Sequence, residues 1–169
     1  CIHVAGTNGK GSVCCLLAAM LRAAGLDVGL YTSPHLRRLN ERFRIDGVAL
    51  CDEAMLGVLD RVEEAAASVA AEGYRESTFF ECTTAMAFLA FADAGVDLGV
   101  IETGLGGRLD ATNAIRPLLS VIARVDFDHM EYLGTTLGAI AAEKAGIVKP
   151  HRPLVLGEMP AEAERTIRG

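Results

Sequence analysis

Short runs that are apolar nearly throughout alternate along this chain with longer segments of helical periodicity, and this alternation limits the possible folds more than any other feature. Such alternation is typical of βαβ units, and strands that are apolar on both faces indicate a sheet covered by helices on both sides. The predicted fold class is α/β, with a mostly parallel, doubly wound sheet. Strands are predicted at 1–5, 27–32, 96–102, 118–125 and 153–156. Helices are predicted at 10–24, Asp52–Ala71 (capped by Asp52), 80–94 and 135–145, and loops at 34–45 and 103–117.

Composition narrows the classes of function. The 169 residues suit one domain, and a hydrophobic share of 51% is ample for a core and excludes a disordered tail. The net charge of −6 supplies no broad basic face, which argues against a nucleic-acid partner. The longest apolar run, residues 13–21, is too short to cross a bilayer, so no membrane association is expected.

The five cysteines form no pattern of a disulfide framework or of a CxxC metal site. We therefore expect a reducing cytoplasm, with Cys14, Cys15 and Cys82 as packing residues. The chain opens at Cys1 in an apolar run, without a signal-peptide pattern, and closes in an unfinished helix-like segment at 160–169. We expect it to be an internal segment of a longer protein.

Polar clusters follow directly on four of the predicted strands, at 6–12, 32–35, 102–110 and 126–129. In an open parallel sheet, the carboxyl ends of the strands meet at one edge, and ligands bind there. The sequence therefore predicts one composite site.

The first cluster is Gly6-Thr-Asn-Gly-Lys10-Gly-Ser12, between a strand and a helix. Glycines let backbone N–H groups turn towards phosphate oxygens, and the helix N-terminus and Lys10 add positive charge. The run departs from the general P-loop because it lacks the early glycine and because Gly11 separates Lys10 from Ser12. The alternative is a turn that only reverses the chain.

Three strand ends carry candidate cation ligands: Ser33, Glu102 and His129. Carboxylate and hydroxyl oxygens suit a hard divalent cation, and a neutral imidazole can also bind a metal. The alternatives are an ST-turn at Ser33, a solvated Glu102 and a structural His129. Spacing alone makes Lys144 a surface lysine near a helix C-terminus.

The other histidines carry less signal. His3 lies inside a strand and is predicted to be in the core, His151 is predicted to be exposed, and His35 stays unassigned.

At 6–12 and at Ile101-Glu-Thr-Gly-Leu-Gly-Gly-Arg-Leu-Asp-Ala-Thr-Asn113, the sequence resembles the folylpolyglutamate synthase/dihydrofolate synthase family, within the Mur ligase superfamily. Further stretches agree: Tyr31-Thr-Ser-Pro-His35, Asn40-Glu-Arg-Phe43, Phe80-Glu-Cys-Thr-Thr84, Asp128-His-Met-Glu-Tyr-Leu-Gly-Thr-Thr136 and Ala142-Glu-Lys-Ala-Gly-Ile147. The resemblance extends over nearly the whole chain. It implies a P-loop ATPase domain of the Mur ligase central type.

The resemblance implies roles for individual residues. The magnesium ligands would be Ser33, Glu102, His129 and Lys144, with Lys144 carbamylated; Lys10, His129 and Lys144 would be catalytic. The ATP phosphates would be held by Thr7, Asn8, Gly9, Lys10, Gly11 and Ser12. The pterin substrate would be held by Thr78, Phe79, Phe80, Glu81, Leu109 and Asp110.

The implied activity is ATP-dependent ligation of L-glutamate to dihydropteroate, to a reduced folate or to both, through an acyl phosphate. The cofactors would be ATP and Mg²⁺, and the family expectation is a monomer with a separate C-terminal domain, absent here, that helps to bind nucleotide and glutamate. The alternatives are another Mur-type amino-acid ligase and a module that binds ATP without ligating.

Overall fold

A computed structural model describes all of residues 1–169 and contains one seven-stranded sheet. The strands are β1 (Ile2–Ala5), β2 (Val28–Tyr31), β3 (Phe43–Ile45), β4 (Val48–Ala49), β5 (Leu98–Glu102), β6 (Leu119–Ile122) and β7 (Leu154–Leu156). Their order across the sheet is β4-β3-β2-β5-β1-β6-β7. The five strands from β2 to β7 are parallel, and β3 and β4 extend one edge in antiparallel pairing. The predicted fold class is confirmed.

The helices are α1 (Lys10–Ala23), α2 (Asp52–Ala71), α3 (Phe79–Asp93), α4 (Met130–Leu133), α5 (Leu137–Ala145) and α6 (Ala161–Arg168). Five of the six helices follow the predicted pattern, and α4 was not predicted. Two short 3₁₀ turns cover Leu39–Arg42 and Ala111–Ala114. None of these helices combines the length and the apolar character that crossing a membrane requires.

Neighbouring residues of a strand pack on opposite layers, which makes the sheet doubly wound. Leu30 and Val100 lie in a cluster with Cys14 and Ala18 of α1. The next residues along the same strands, Tyr31 and Ile101, lie in a second cluster with side chains of α2 and α3. Because strand side chains alternate between faces, α1 covers one face and the α2–α3 pair covers the other. A third cluster joins β1 and β6 to α5 and α6.

The predicted loop at 34–45 is wrong in part, since it contains a 3₁₀ turn and strand β3. Asp46 and Gly47 have φ angles of 51° and 82°, and they connect β3 to β4. An Asp-Gly pair is a strong hairpin signal because both of its residues tolerate positive φ. The hairpin has polar flanks, with Arg44 in β3, and these obscured the strand pattern.

Two smaller predictions are also wrong. The N-cap of α2 is Cys51, whose sulfur accepts a hydrogen bond from the Ala54 N–H at 3.5 Å, rather than Asp52. The Asp52 carboxylate instead accepts from Arg38 Nη2 at 2.8 Å. Cys15 is exposed rather than packed, whereas Cys14 is buried and Cys82 is half-buried. His3 is buried and His151 is exposed, as predicted.

Candidate active site

The glycine-rich segment 6–12 connects β1 directly to α1. Gly9 is the N-cap residue of α1 and has a φ of 82°, a left-handed conformation that favours glycine. No side chain caps the helix, so its first backbone N–H groups carry no side-chain acceptor. Such groups, together with the positive end of the helix dipole, form an anion-binding site. Asn8 and Ser12 are exposed beside them.

Thr7 anchors this segment to the end of β6. Its N–H donates to the Arg124 carbonyl at 2.6 Å, and its hydroxyl donates to the Asp126 carbonyl at 2.9 Å. The same hydroxyl accepts from the Asp126 N–H at 3.1 Å. The side chain of Thr7 is thus committed to the protein, and its role is to hold two strand ends together.

Lys10 lies over the same segment. Its ammonium donates to the carbonyls of Gly6 at 3.0 Å and of Thr7 at 3.3 Å, and it forms no ion pair with a carboxylate. An ammonium held by neutral carbonyls keeps its charge available for an anion at the helix start.

Glu102 joins three elements at this edge. The residue is only 3% exposed, and its Oε2 accepts from the Ser33 N–H at 3.0 Å. A Cβ on Gly11, in the first turn of α1, would lie 3.7 Å from both carboxylate oxygens. Burial raises the pKa of Glu102, against the opposing effects of the Ser33 N–H and the Lys10 charge. A buried carboxylate without an ion-pair partner fits a cation site.

The predicted metal ligands are assembled only in part. Ser33 and Glu102 are in contact through the Ser33 N–H. His129 is exposed, begins α4 with a φ of 45°, and has its Nε2 3.6 Å from Asp128 Oδ1. No group of three or more His, Cys, Asp or Glu side chains is arranged to hold a metal. The remaining predicted ligand is a lysine, which offers an anionic oxygen only after carbamylation.

Lys144 is buried, with an exposure of 2%, so the surface position suggested by its spacing is wrong. It lies in the last turn of α5. Burial, and then the Lys10 charge, lower its pKa to about 8, against the opposing effect of Asp128. The effect of the Lys10 charge shows that Lys144 lies at the same edge of the sheet as Lys10. A lysine with such a pKa has a substantial neutral fraction near pH 8, and a neutral amine is nucleophilic.

A cavity of about 410 Å³ lies beside this edge. Five of the six predicted substrate residues line it: Thr78, Phe80, Glu81, Leu109 and Asp110. The sixth, Phe79, does not; its ring lies under the Arg42 guanidinium, 5.4 Å from the ring centroid to Cζ. Arg75 and Tyr132 also line the cavity. The sequence reasoning missed them because polar and aromatic residues outside the strand ends carried no signal.

The start of α3 forms one wall of the cavity. Thr78 and Glu81 form a capping box, and Arg75 Nη1 donates to Glu81 Oε2 at 3.0 Å. The hydrogen bonds from Arg75, and then those from Thr78, lower the pKa of Glu81 to about 2. Glu81 therefore stays ionised, and its charge is paired with that of Arg75 on the same wall.

Asp110 shapes the opposite wall. Its Oδ2 accepts from the N–H groups of Gly104 and Leu105, both at 2.9 Å, and its Oδ1 accepts from the N–H and the hydroxyl of Thr112. These four bonds use the acceptor sites of the carboxylate. Asp110 thus has a loop-shaping role beside the substrate role that the resemblance implies.

The network continues into the core through His3, whose Nε2 lies 2.8 Å from Thr112 Oγ1. Because the Thr112 hydroxyl donates its proton to Asp110, it must accept one from His3, which fixes the Nε2–H tautomer. Burial, and then the Lys149 charge, lower the pKa of His3 to about 4. His3 Nδ1 has no partner. Neutral His3 is therefore the form that fits.

We expect Thr112→Val to lower the free energy of unfolding by about 1–3 kcal/mol, because it leaves the buried His3 Nε2–H without an acceptor and removes one donor from Asp110. Urea unfolding of the full-length protein measures the change. The matched control is Thr166→Val, at an exposed position of α6 where the hydroxyl bonds only its own helix. A difference between the two variants within about 0.5 kcal/mol would contradict the proposed bridge.

The loop that carries Asp110 rests on the end of α5, the helix of Lys144. A Cβ on Gly107 would lie 2.9 Å from the carbonyl oxygens of Glu143 and Lys144. The Arg108 N–H donates to the Glu143 carbonyl at 2.8 Å, and its guanidinium pairs with the Glu143 carboxylate. The cavity wall and the buried lysine therefore form one packed unit.

Comparisons with known proteins agree with this geometry. The model of the Mur ligase middle domain matches residues 4–161. The dihydrofolate synthase/folylpolyglutamate synthase of Bacillus subtilis is 44% identical over 167 residues, which cover 98% of this chain and 39% of that protein. The chain thus spans well under half the length of this relative.

Solved structures of these enzymes superpose closely. A complex of FPGS with AMPPCP and folate has a TM-score of 0.95 and 43% identity, and the match covers 99% of this chain and 41% of that one. Escherichia coli FolC in complex with DHPP and ADP has a TM-score of 0.89 and 39% identity, over 99% of this chain and 39% of that one. The chain belongs to the Mur ligase middle-domain family, and nearly its whole length is similar to folylpolyglutamate and dihydrofolate synthases.

Proposed function

We propose that this chain is the ATP-binding part of an amide ligase that adds L-glutamate to dihydropteroate, to folate (poly)glutamates or to both. The proposal rests on three groups that lie together beside one cavity. They are the uncapped start of α1 with Lys10, the buried carboxylate of Glu102 and the buried side chain of Lys144. Relatives and structures whose names include folylpolyglutamate synthase, folate and an ATP analogue support it. The reactions of the whole protein require more chain than this segment.

Each reaction step needs mainly positioning. The bond between the γ-phosphorus and the bridging oxygen of ATP breaks, and a bond to an acceptor carboxylate oxygen forms. The α-amine of glutamate then attacks the acyl carbon, loses a proton and displaces phosphate. The free N–H groups of α1 and Lys10 would bind the phosphates and offset their charge, as phosphoryl transfer requires. No protein nucleophile is needed.

Mg²⁺ fits the ligand atoms that the chain presents, because Glu102 is a buried carboxylate without a cationic partner. When bound, it would neutralise charge on the transferring phosphoryl group. Ser33, Glu102, His129 and carbamylated Lys144 would hold it. Glu81, Phe80 and the loop of Asp110 would hold the pterin end of the acceptor.

We further propose that a separate C-terminal domain binds glutamate, that the protein is a monomer, and that it works in the cytoplasm, where five unpaired cysteines are stable.

Two other functions are less well supported. A ligase for a cell-wall precursor would share the ATP edge, but the Phe80-lined cavity suits a flat aromatic ring better than a sugar nucleotide. A module that only binds ATP has no need of a buried lysine beside Lys10.

The test is phosphate release from ATP by the full-length protein with dihydropteroate, with and without L-glutamate. We expect release that depends on both. If dihydropteroate is inactive, a reduced folate is the next acceptor, and activity with it alone would make the enzyme a polyglutamate synthase. Release that is indifferent to glutamate with either acceptor would contradict the ligase function.

A further inference from the structure

Arg42 is a buried cation without an anionic partner. It ends the 3₁₀ turn before β3 and is 8% exposed. Its Nε donates to His35 Nδ1 at 3.0 Å, and its guanidinium lies over the Phe79 ring. Neither partner is an anion, because one is an imidazole nitrogen and the other is an aromatic ring. No carboxylate oxygen lies within 4.0 Å of the guanidinium, the limit for an ion pair. A buried charge without a counter-charge is costly, so the protein keeps this one at the expense of stability.

The part of Arg42 that remains accessible is its outer edge. Only two side-chain polar atoms are fully buried without a hydrogen-bond partner, His3 Nδ1 and Thr103 Oγ1. The nitrogens of Arg42 are therefore either hydrogen-bonded or partly accessible. Neither Nη atom donates to a protein acceptor, whereas Nε does. Both Nη atoms thus keep some accessible surface and have no protein acceptor. Their N–H groups have the fork geometry that binds a carboxylate with two hydrogen bonds.

Arg42 also touches both halves of the candidate site. The Arg42 carbonyl accepts a hydrogen bond from the Thr32 N–H at 3.1 Å. Ser33, which follows Thr32, donates its own N–H to the Glu102 carboxylate. The Arg42 guanidinium lies over Phe79, whose neighbours in α3 line the 410 Å³ cavity. A ligand with one end in the cavity and its other end at the ATP edge would pass this guanidinium.

The charges around the cavity point to the end of the ligand that Arg42 would meet. Inside the cavity, Glu81 pairs with Arg75, and Glu143 pairs with Arg108. These two arginines are already neutralised, whereas Arg42 is an arginine beside the cavity without a carboxylate partner.

We propose that Arg42 binds a carboxylate of the acceptor substrate, with Phe79 as its platform and His35 as a positioning residue that fixes the orientation of the fork. The proposal rests on the proposed function. It also explains why Phe79 turns away from the cavity that its neighbours line.

The test measures binding without turnover, by calorimetry on the full-length protein. The two probes are dihydropteroate and its neutral carboxamide, which keeps the pterin and the benzoyl ring but carries no charge. In the wild type we expect the carboxylate to bind roughly 10- to 100-fold more tightly than the carboxamide. In Arg42→Gln the two probes should bind within about threefold of each other. The control Arg37→Gln, at an exposed position of the same loop, should keep the wild-type preference.

A second variant serves as a control for loss of folding. Arg42→Lys keeps the charge but loses the fork, so it should retain a smaller preference, and a thermal melt shows whether either variant is folded. A preference that persists in a folded Arg42→Gln, or a wild type that binds both probes equally, would overturn the proposal. So would weakened binding of ATP in place of the acceptor. A wild type that binds dihydropteroate through its carboxylate but never releases phosphate would contradict the ligase function alone.

Discussion

Replacing Lys144 with alanine is expected to lower glutamate-dependent phosphate release by about 10³-fold while changing the affinity for ATP by less than about threefold. Lys144 is buried, and its pKa is lowered to about 8. At pH 8 roughly half of such an amine is neutral, against well under 1% of an ordinary lysine. A neutral amine can attack CO₂, lose a proton and become a carbamate, which supplies anionic oxygens to a cation. Alanine removes that group and leaves the start of α1, the proposed phosphate site, intact.

Lys144→Arg is the informative companion variant, because it keeps the positive charge but forms no carbamate under these conditions. It should be as inactive as the alanine variant. Intact-mass measurement on the wild type should show one added CO₂, and neither variant should show it. The affinity for ATP is measured by calorimetry and phosphate release by a coupled assay. Equal losses of ATP binding and ligation in Lys144→Ala would contradict the carbamate role.

Gly146→Ala is expected to lower the free energy of unfolding by about 2–3 kcal/mol. A Cβ at this position would lie 2.4 Å from both Cα and Cβ of Arg108. The obstacle includes backbone, so it cannot swing aside as the tip of a side chain would. Relief requires the Arg108 loop to move off α5, which displaces the wall of the cavity. Binding of dihydropteroate should therefore weaken along with stability.

The matched control is Gly57→Ala in the middle of α2, where a new Cβ meets nothing within 4 Å. Alanine is the better helix former, so this variant should gain about 0.5–1 kcal/mol. Urea unfolding of the full-length protein compares the two variants with the wild type. If Gly146→Ala were as stable as the wild type, the loop would not be packed as tightly against α5 as described.

The strands and helices of the parallel core follow from the sequence because each is a long, consistent pattern. The run 96–102 is mostly apolar without a repeating polar face, and it forms β5 between two other buried strands. The β3–β4 hairpin could not be recognised in the same way, since its strands have only three and two residues and lie at the edge. Short edge strands need little hydrophobic pattern, and their signal lay in the Asp46-Gly47 turn.

The position of the site was predictable for a similar reason. Residues that follow parallel strands must lie at one edge, which brought Ser33 and Glu102 together. The burial of Lys144 was not predictable from spacing, because it depends on the loop of Gly107 packing across α5, a contact between distant parts of the chain. The lone charge of Arg42 was equally hidden, since an unpaired cation is recognised only when its neighbours in space are known.

The central position of β1 has a consequence for biosynthesis. This strand is made first among the seven, yet it is hydrogen-bonded to β5 and β6, about a hundred residues later in the chain. At roughly 5–20 residues per second, a ribosome needs about 5–20 s to supply these partners. During that interval a strand that is fully buried in the finished fold remains unpaired, as a target for chaperones or for aggregation. The proposed nucleotide-binding edge, where Thr7 bonds to a residue 119 positions later, should therefore be among the last parts of the domain to form.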